Sequence, residues 1–313
     1  AAVDRRVPVT ITESDDAHWH LRTPGLGNGE ILLDSDGRLL VGDDAATRER
    51  LRVFDAVRKA VVDDEAPFDR LRERALSISI DSTAFFSAEN KLGLGSSAAV
   101  STALTAALLA VDGAATAALP PSLEDIRVLA TKAHRASQGG TGSGGDIAAS
   151  VFGGYILYSR DATPTPVSWP QELAVMAIVT GTGSSTTDLV GRVAAYAERD
   201  ADGHRADIAR LAALARLAED ALRYPQEFLG LASDYFDALV ELDEHADAGI
   251  VSEHHRRLHS LAAGLGGVFK TSGAGGGDVG LLFAPAGEKA RSLAVAFAQA
   301  GAQAVPLAFG ADG

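Results

Sequence analysis

Cysteine is absent from the 313 residues, which excludes disulfides, cysteine-ligated zinc and thiol nucleophiles together. Lysine is nearly as scarce, occurring only as Lys59, Lys91, Lys132, Lys270 and Lys289, while the other cationic side chains are arginine. No run of Lys and Arg breaks the formal charge of −14. General nucleic-acid binding needs a basic face and is therefore excluded. No apolar run is long and uninterrupted enough to span a membrane, and the start, Ala1-Ala2-Val3, lacks the basic-then-apolar pattern of a secretion signal. The expectation is a cytoplasmic protein, monomer or homodimer, with a small-molecule partner and neither nucleic acid nor membrane.

What is present points to a globular chain: 46% of residues are hydrophobic and 22% charged, well away from the disordered class. The length suits two domains. Asp161 to Pro170 contains Pro164, Pro166 and Pro170 and reads as a linker, giving domains 1–160 and 161–313.

Short β-type runs at Arg6 to Glu13, Trp19 to Arg22, Glu30 to Leu33 and Arg38 to Val41 predict an antiparallel meander. Ala46 to Val62 carries Leu51, Phe54, Val57 and Val61 at helical spacing, and Leu76 to Ile80 alternates as a strand. Ser122 with Asp125 predicts a capped helix to about Ser137. Beyond the linker, a strand is predicted at Leu173 to Thr180, helices at Ala206 to Tyr224, Gln226 to Asp247, Val251 to Gly264 and Glu288 to Ala300, and a closing strand at Ala302 to Phe309.

Three glycine-rich stretches stand out. The first, Asn90 to Val100, sets Lys91, Gly93, Gly95, Ser96 and Ser97 before a small and apolar helical run. Glycines let backbone approach a ligand, and first-turn amides with the helix dipole attract anions, so phosphate is the expected ligand. The dinucleotide and Walker-type loops are both set aside. Ser87 to Lys91 is polar where the former needs an apolar strand, and no Gly-Lys-Ser/Thr closes the latter. The second stretch, Gln138 to Ser150, surrounds Asp146 with small residues. Asp146 is either a general base beside a phosphate acceptor or a cap for Ile147 to Val151. The third, Lys270 to Asp278, lies between two apolar runs and predicts a strand, a tight turn and a strand. His134, His254, His255 and His259 lack carboxylate or cysteine partners at metal spacing and read as helix-surface residues, and Glu241 to Asp247 as a solvated helix face.

Leu92 to Ala99 (LGLGSSAA) and Lys270 to Gly280 (KTSGAGGGDVG) resemble the second and third motifs of the GHMP kinases. With Lys91 and Gly142 to Ala148, the likeness within that family is to the branch whose acceptor is phosphomevalonate. The resemblance implies an α+β, two-domain kinase, with an S5-like N-terminal domain, a ferredoxin-like C-terminal domain and ATP held between them. It places the ATP phosphates on Gly93, Leu94, Gly95, Ser96, Ser97 and Ala98, with Ser97 near Mg²⁺. It implies Asp146 and Lys91 as catalytic residues, and Ser143, Gly144, Ser184, Ser185, Thr186, Ser272, Gly273, Ala274 and Gly275 around the phosphorylated small-molecule substrate. A kinase for mevalonate or a sugar, a non-catalytic nucleotide-binding homologue, and a related ATP-dependent decarboxylase that would release CO₂ are the alternatives. The family's first motif, a Pro-Gly-Lys, has no counterpart here, and an N-terminal segment carrying it is expected to precede Ala1. Mevalonate kinase-like members carry a metal-binding glutamate on the helix before the aspartate, where Arg135 and Gln138 stand here.

Overall fold

The computed structural model describes residues 1–27, 29–40, 44–63, 71, 74–86, 92–116, 120–140, 142–180, 186–277 and 279–313. They divide into two compact units, Ala1–Pro166 with Phe309–Gly313, and Val167–Ala308. Both mix helix and sheet, and the α+β class expected from the sequence is the one observed.

In the first unit, β1 (Val9–Glu13), β2 (Trp19–Arg22), β3 (Glu30–Leu33) and β4 (Leu76–Ile80) form one sheet in the order β1-β4-β2-β3. The predicted meander is corrected here: β4 lies between β1 and β2, antiparallel to the first and parallel to the second. Its alternation explains the central position, since Leu76, Ile78 and Ile80 are all buried. A parallel pairing needs a long crossover, and the chain between β3 and β4 carries helix α1 (Ala45–Arg58). Of the run Arg38 to Val41, Leu39 makes an isolated bridge to Leu33, while Val41 lies outside the described residues.

Helix α1 starts where Asp44 accepts from the Thr47 amide at 2.8 Å, buries Leu51, Phe54 and Val57, and runs on as a π-helical turn over Lys59–Asp63. Three more helices follow, α2 (Ser96–Thr116), α3 (Leu123–Ser137) and α4 (Gly145–Phe152). The capping box foreseen at α3 is formed by Ser122 and Asp125. Trp19, Leu21, Ile78, Leu104, Leu108, Ala130 and Ile147 belong to one buried cluster that joins the sheet to these helices. A short ribbon, β5 (Tyr155–Leu157) with β6 (Thr165–Val167), comes after α4. The chain's last residues return to this unit: Phe309 bridges Val3, and the Gly154 amide donates to the Ala311 carbonyl at 2.7 Å.

The second unit has an antiparallel sheet of β7 (Leu173–Val179), β8 (Val268–Thr271), β9 (Val279–Pro285) and β10 (Gln303–Val305) in the order β10-β7-β9-β8. Helices α5 (Thr186–Arg199), α6 (Ala201–Ala221), α7 (Pro225–Ala246), α8 (Glu253–Gly264) and α9 (Glu288–Gln299) complete it. Phe269 and Phe297 are fully buried with Leu258, Leu282 and Leu293, each phenyl group contributing roughly 1.5–3 kcal/mol by burial. A side chain at Gly280 would run into the Phe269 ring, which fixes glycine at that point of β9.

The acidic face of α7 is also corrected. Asp243 is buried, and its two carboxylate oxygens accept from the amides of Ile250 and Val251 at 2.7 and 2.9 Å. It satisfies the turn after the helix instead of facing water.

Candidate active site

The first turn of α2 is entered through two glycines. Gly93 and Gly95 take left-handed backbone at φ 66° and 77°, a conformation that costs other residues energy. The amides of Ala98 and Ala99 both return to the Gly95 carbonyl, at 3.0 and 3.1 Å. The amides of Ser96 and Ser97 precede that first closed turn and have no acceptor within the helix. Leu94 packs on the core, while Ser96 and Ala98 are buried, so the loop is anchored from beneath. Lys91 lies outside the described residues.

Asp146 is the second residue of α4, and its side chain is 45% exposed. The residue capping α4 is Gly144, at φ 87° and with no side-chain cap, so the capping alternative for Asp146 does not hold. One carboxylate oxygen accepts from the Ile147 amide at 2.9 Å. The other lies 3.7 Å from Nδ1 of His134.

The surface reading of His134 is corrected by its burial, with only 3% of the residue exposed. Its Nε2 lies 3.0 Å from the Ser97 hydroxyl and 3.1 Å from the Gln138 amide nitrogen. One imidazole therefore faces the loop serine of α2 on one side and the aspartate of α4 on the other. The helical period carried a signal for this, because His134 falls in line with the buried Ile126, Ala130, Ala133 and Ser137. The same correction applies to His255, which is fully buried, whereas His259 stacks on Phe236 with ring centres 4.0 Å apart.

The loop before Asp146 is held by two side chains. Arg135 donates from Nε to the Gly142 carbonyl at 3.1 Å and from Nη2 to the Ser143 carbonyl at 3.0 Å. The Tyr158 hydroxyl donates to that same Ser143 oxygen at 2.6 Å. A Cβ on Gly144 would lie 3.0 Å from the Tyr158 hydroxyl and 3.2 Å from Thr131 Cγ2. Ser143 stays exposed, and Gly144 is buried beneath it.

The second unit carries the remaining predicted residues. Thr186 opens α5, whereas Ser184, Ser185 and Asp278 lie outside the described residues. Ser272, Gly273, Ala274 and Gly275 form the turn between β8 and β9, where the Gly275 amide donates to the Ser272 carbonyl at 3.2 Å. The Gly276 amide donates to the Ile250 carbonyl at 2.7 Å, which ties this turn to the segment fixed by Asp243. On β8, Lys270 donates to the Thr271 carbonyl at 2.7 Å and stands 5.4 Å from the Tyr235 ring centre, with burial pulling its pKa down to about 8.

Ser97, His134 and Asp146, with Ser143 and Gly144 beside them, are thus brought together in one unit, and Thr186 and Ser272 to Gly275 belong to the other. Among the described residues no group of three His, Cys, Asp or Glu could hold a metal. The exposed carboxylate and the Ser97 hydroxyl are hard oxygen donors beside an anion seat. They suit Mg²⁺, which takes most of its ligands from phosphate and water.

Residues 53–154 match the GHMP kinases N terminal domain, a span that holds Ser97, His134 and Asp146. The chain has the GHMP kinase fold, and its first unit resembles the N-terminal domain of that family. Phosphomevalonate kinase of Streptomyces sp. (strain CL190) is 29% identical to it over 323 residues, covering 90% of this chain and 82% of that protein. The Lin0012 protein of Listeria innocua superposes with a TM-score of 0.80 at 22% identity, over 99% of this chain and 90% of the other. Streptococcus pneumoniae phosphomevalonate kinase in complex with phosphomevalonate and AMPPNP gives 0.70 at 16% identity, over 97% and 90% of the two chains.

Proposed function

We propose that this chain is an ATP- and Mg²⁺-dependent kinase that converts 5-phosphomevalonate to the 5-diphosphate. The observation that carries the proposal is its likeness to the Streptomyces phosphomevalonate kinase along 90% of its length. In this reading Gly93 to Ala98 receive the ATP phosphates, and the Ser97 hydroxyl would hold Mg²⁺. When bound, Mg²⁺ neutralises charge on the phosphates. Lys91 adds a positive charge, while Ser143, Gly144, Ser184, Ser185, Thr186 and Ser272 to Gly275 contact the acceptor and the transferring phosphate.

An acceptor phosphate oxygen attacks the γ-phosphorus, the bond from that phosphorus to the β–γ bridging oxygen breaks, and ADP leaves with the electron pair. Such chemistry depends on position and charge more than on strong bases. The acceptor's second pKa is about 6, so it is largely deprotonated at neutral pH. Asp146 orients it and takes any remaining proton. Losing one positioned proton-transfer group costs on the order of 10²–10⁴ in kcat, which is the effect expected for Asp146→Asn.

A coupled ADP-release assay with phosphomevalonate, mevalonate, homoserine and galactose, with CO₂ measured in parallel, tests the proposal. Turnover is expected with phosphomevalonate and without CO₂. Absence of turnover above background with that substrate rejects the assignment, and activity on another alcohol reassigns the acceptor.

A further inference from the structure

We propose that His134 is a positioning residue for phosphoryl transfer: its Nε2 takes the Ser97 hydroxyl hydrogen and its Nδ1–H is directed at Asp146, which turns the serine lone pairs toward the ligand. This rests on the kinase reading above. The tautomer follows from the hydrogen-bond network. The Gln138 amide nitrogen, 3.1 Å from Nε2, has only hydrogens to offer. Nε2 is therefore the acceptor, and the neutral ring carries its hydrogen on Nδ1. That hydrogen faces the Asp146 carboxylate oxygen at 3.7 Å, close enough for a small shift of the exposed carboxylate to complete the bond.

The same assignment fixes Ser97. Its oxygen lies 3.0 Å from the accepting Nε2, whose one lone pair it shares with the Gln138 amide, so the hydroxyl hydrogen points at the ring and the lone pairs point away from it. A serine turned the other way would present a hydrogen to a cation. His134 is itself fixed, because the ring is buried and its carbonyl accepts from Ser137 Oγ at 2.7 Å. His255, equally buried, behaves otherwise: its Nδ1 accepts from the Ser252 amide as part of a helix cap, and its Nε2 has no partner. Both nitrogens of His134 instead face side chains assigned to the reaction. Through one ring, the start of α2, the end of α3 and the start of α4 share a common reference point.

The test uses His134→Phe, His134→Gln and Ser97→Ala, with folding checked by circular dichroism and thermal melting. Binding of a fluorescent ATP analogue is titrated with and without Mg²⁺, and kcat and KM for ATP are measured beside it. His134→Phe is expected to lose roughly 10–100-fold in Mg²⁺-dependent nucleotide affinity and in kcat, the usual scale for removing a group behind a metal ligand. His134→Gln, whose side-chain oxygen reaches the place of Nε2, recovers the Mg²⁺-dependent affinity while kcat stays low. In a Ser97→Ala background, adding His134→Phe has no further effect on that affinity.

A folded His134→Phe protein with unchanged Mg²⁺-dependent affinity and kcat overturns the inference. If the Phe variant does not fold, the Gln variant decides: Mg²⁺-dependent affinity lost as fully as in Ser97→Ala overturns the inference, and affinity retained with kcat reduced supports it. A wild type without Mg²⁺-dependent nucleotide binding overturns the kinase reading and this inference with it. A wild type that has such binding, beside an unaffected His134→Phe, overturns this inference alone.

Discussion

Arg135 and Ser143 are joined by a hydrogen bond from the guanidinium Nη2 to the backbone carbonyl, 3.0 Å long, while Nε of the same group holds the Gly142 carbonyl. The fork geometry matters, because an ammonium group cannot serve both oxygens from one fixed plane. Arg135→Ala and Arg135→Lys are each expected to lose about 1–3 kcal/mol in urea unfolding and to lower kcat more than they raise KM for ATP. A lysine variant indistinguishable from wild type would remove the guanidinium from the account of the loop.

Gly144 combines a left-handed backbone, at φ 87°, with a close ceiling: a Cβ there would lie 3.0 Å from the Tyr158 hydroxyl. Gly144→Ala should cost about 1–3 kcal/mol from the backbone conformation alone and shift Asp146, which follows two residues later. Thermal unfolding of Gly144→Ala with Tyr158→Phe separates the two causes. If the double variant regains wild-type stability, crowding and not backbone conformation was responsible.

Burial lowers the pKa of His255 to about 4 from an ordinary 6.5. As pH falls below 6.5 the unfolded chain gains a proton that the folded chain refuses until about pH 4. Stability should therefore decline across that window and level off beneath it, by about 3 kcal/mol in all. His255 also accepts from the Ser252 amide through Nδ1 at 3.2 Å, a bond that glutamine can keep without titrating. Urea midpoints between pH 7 and 4 should show a shallower fall for His255→Gln, and an unchanged slope would acquit the histidine.

Asp207 accepts from the Tyr196 hydroxyl at 3.0 Å and from His245 Nδ1 at 2.8 Å, linking α5, α6 and α7. The hydrogen bond to Asp207 raises the His245 pKa. That link is fully present below the ordinary imidazole pKa and is lost as pH rises through the raised folded value. NMR titration should find His245 above the usual imidazole range, returning downward in Asp207→Asn; equal titration in both proteins would disprove the coupling.

Much of this molecule was legible in one dimension. Periodicity gave the helices to within a few residues because each buries one stripe, and Ser122 with Asp125 announced its own cap. Strand order was not legible, since alternation in Leu76 to Ile80 shows that a strand has a buried face without naming its neighbours. The loop of Gly93 and Gly95 and the turn before Asp146 were visible through glycine, whose backbone freedom is written in the sequence. His134 was misread for a physical reason: spacing along the chain shows which face a residue shares, but not what stands 12 positions on, where Asp146 faces the ring. Arg135 stands where a metal-binding glutamate was sought, and it serves the loop's carbonyls instead.

The return of the last residues to the first unit sets an order of events during synthesis. Gly153, at the end of α4, is so close to Gly313 that a side chain on it would collide with that backbone, and Gly310 donates to the Ala2 carbonyl at 2.9 Å. A nascent chain leaving the ribosome meets this partner only after the whole of Val167–Ala308 has emerged. The helix bearing Asp146 is thus braced by a segment that lies on the far side of Val167–Ala308 in sequence, so a chain cleaved before Phe309 lacks that brace even with every motif residue present.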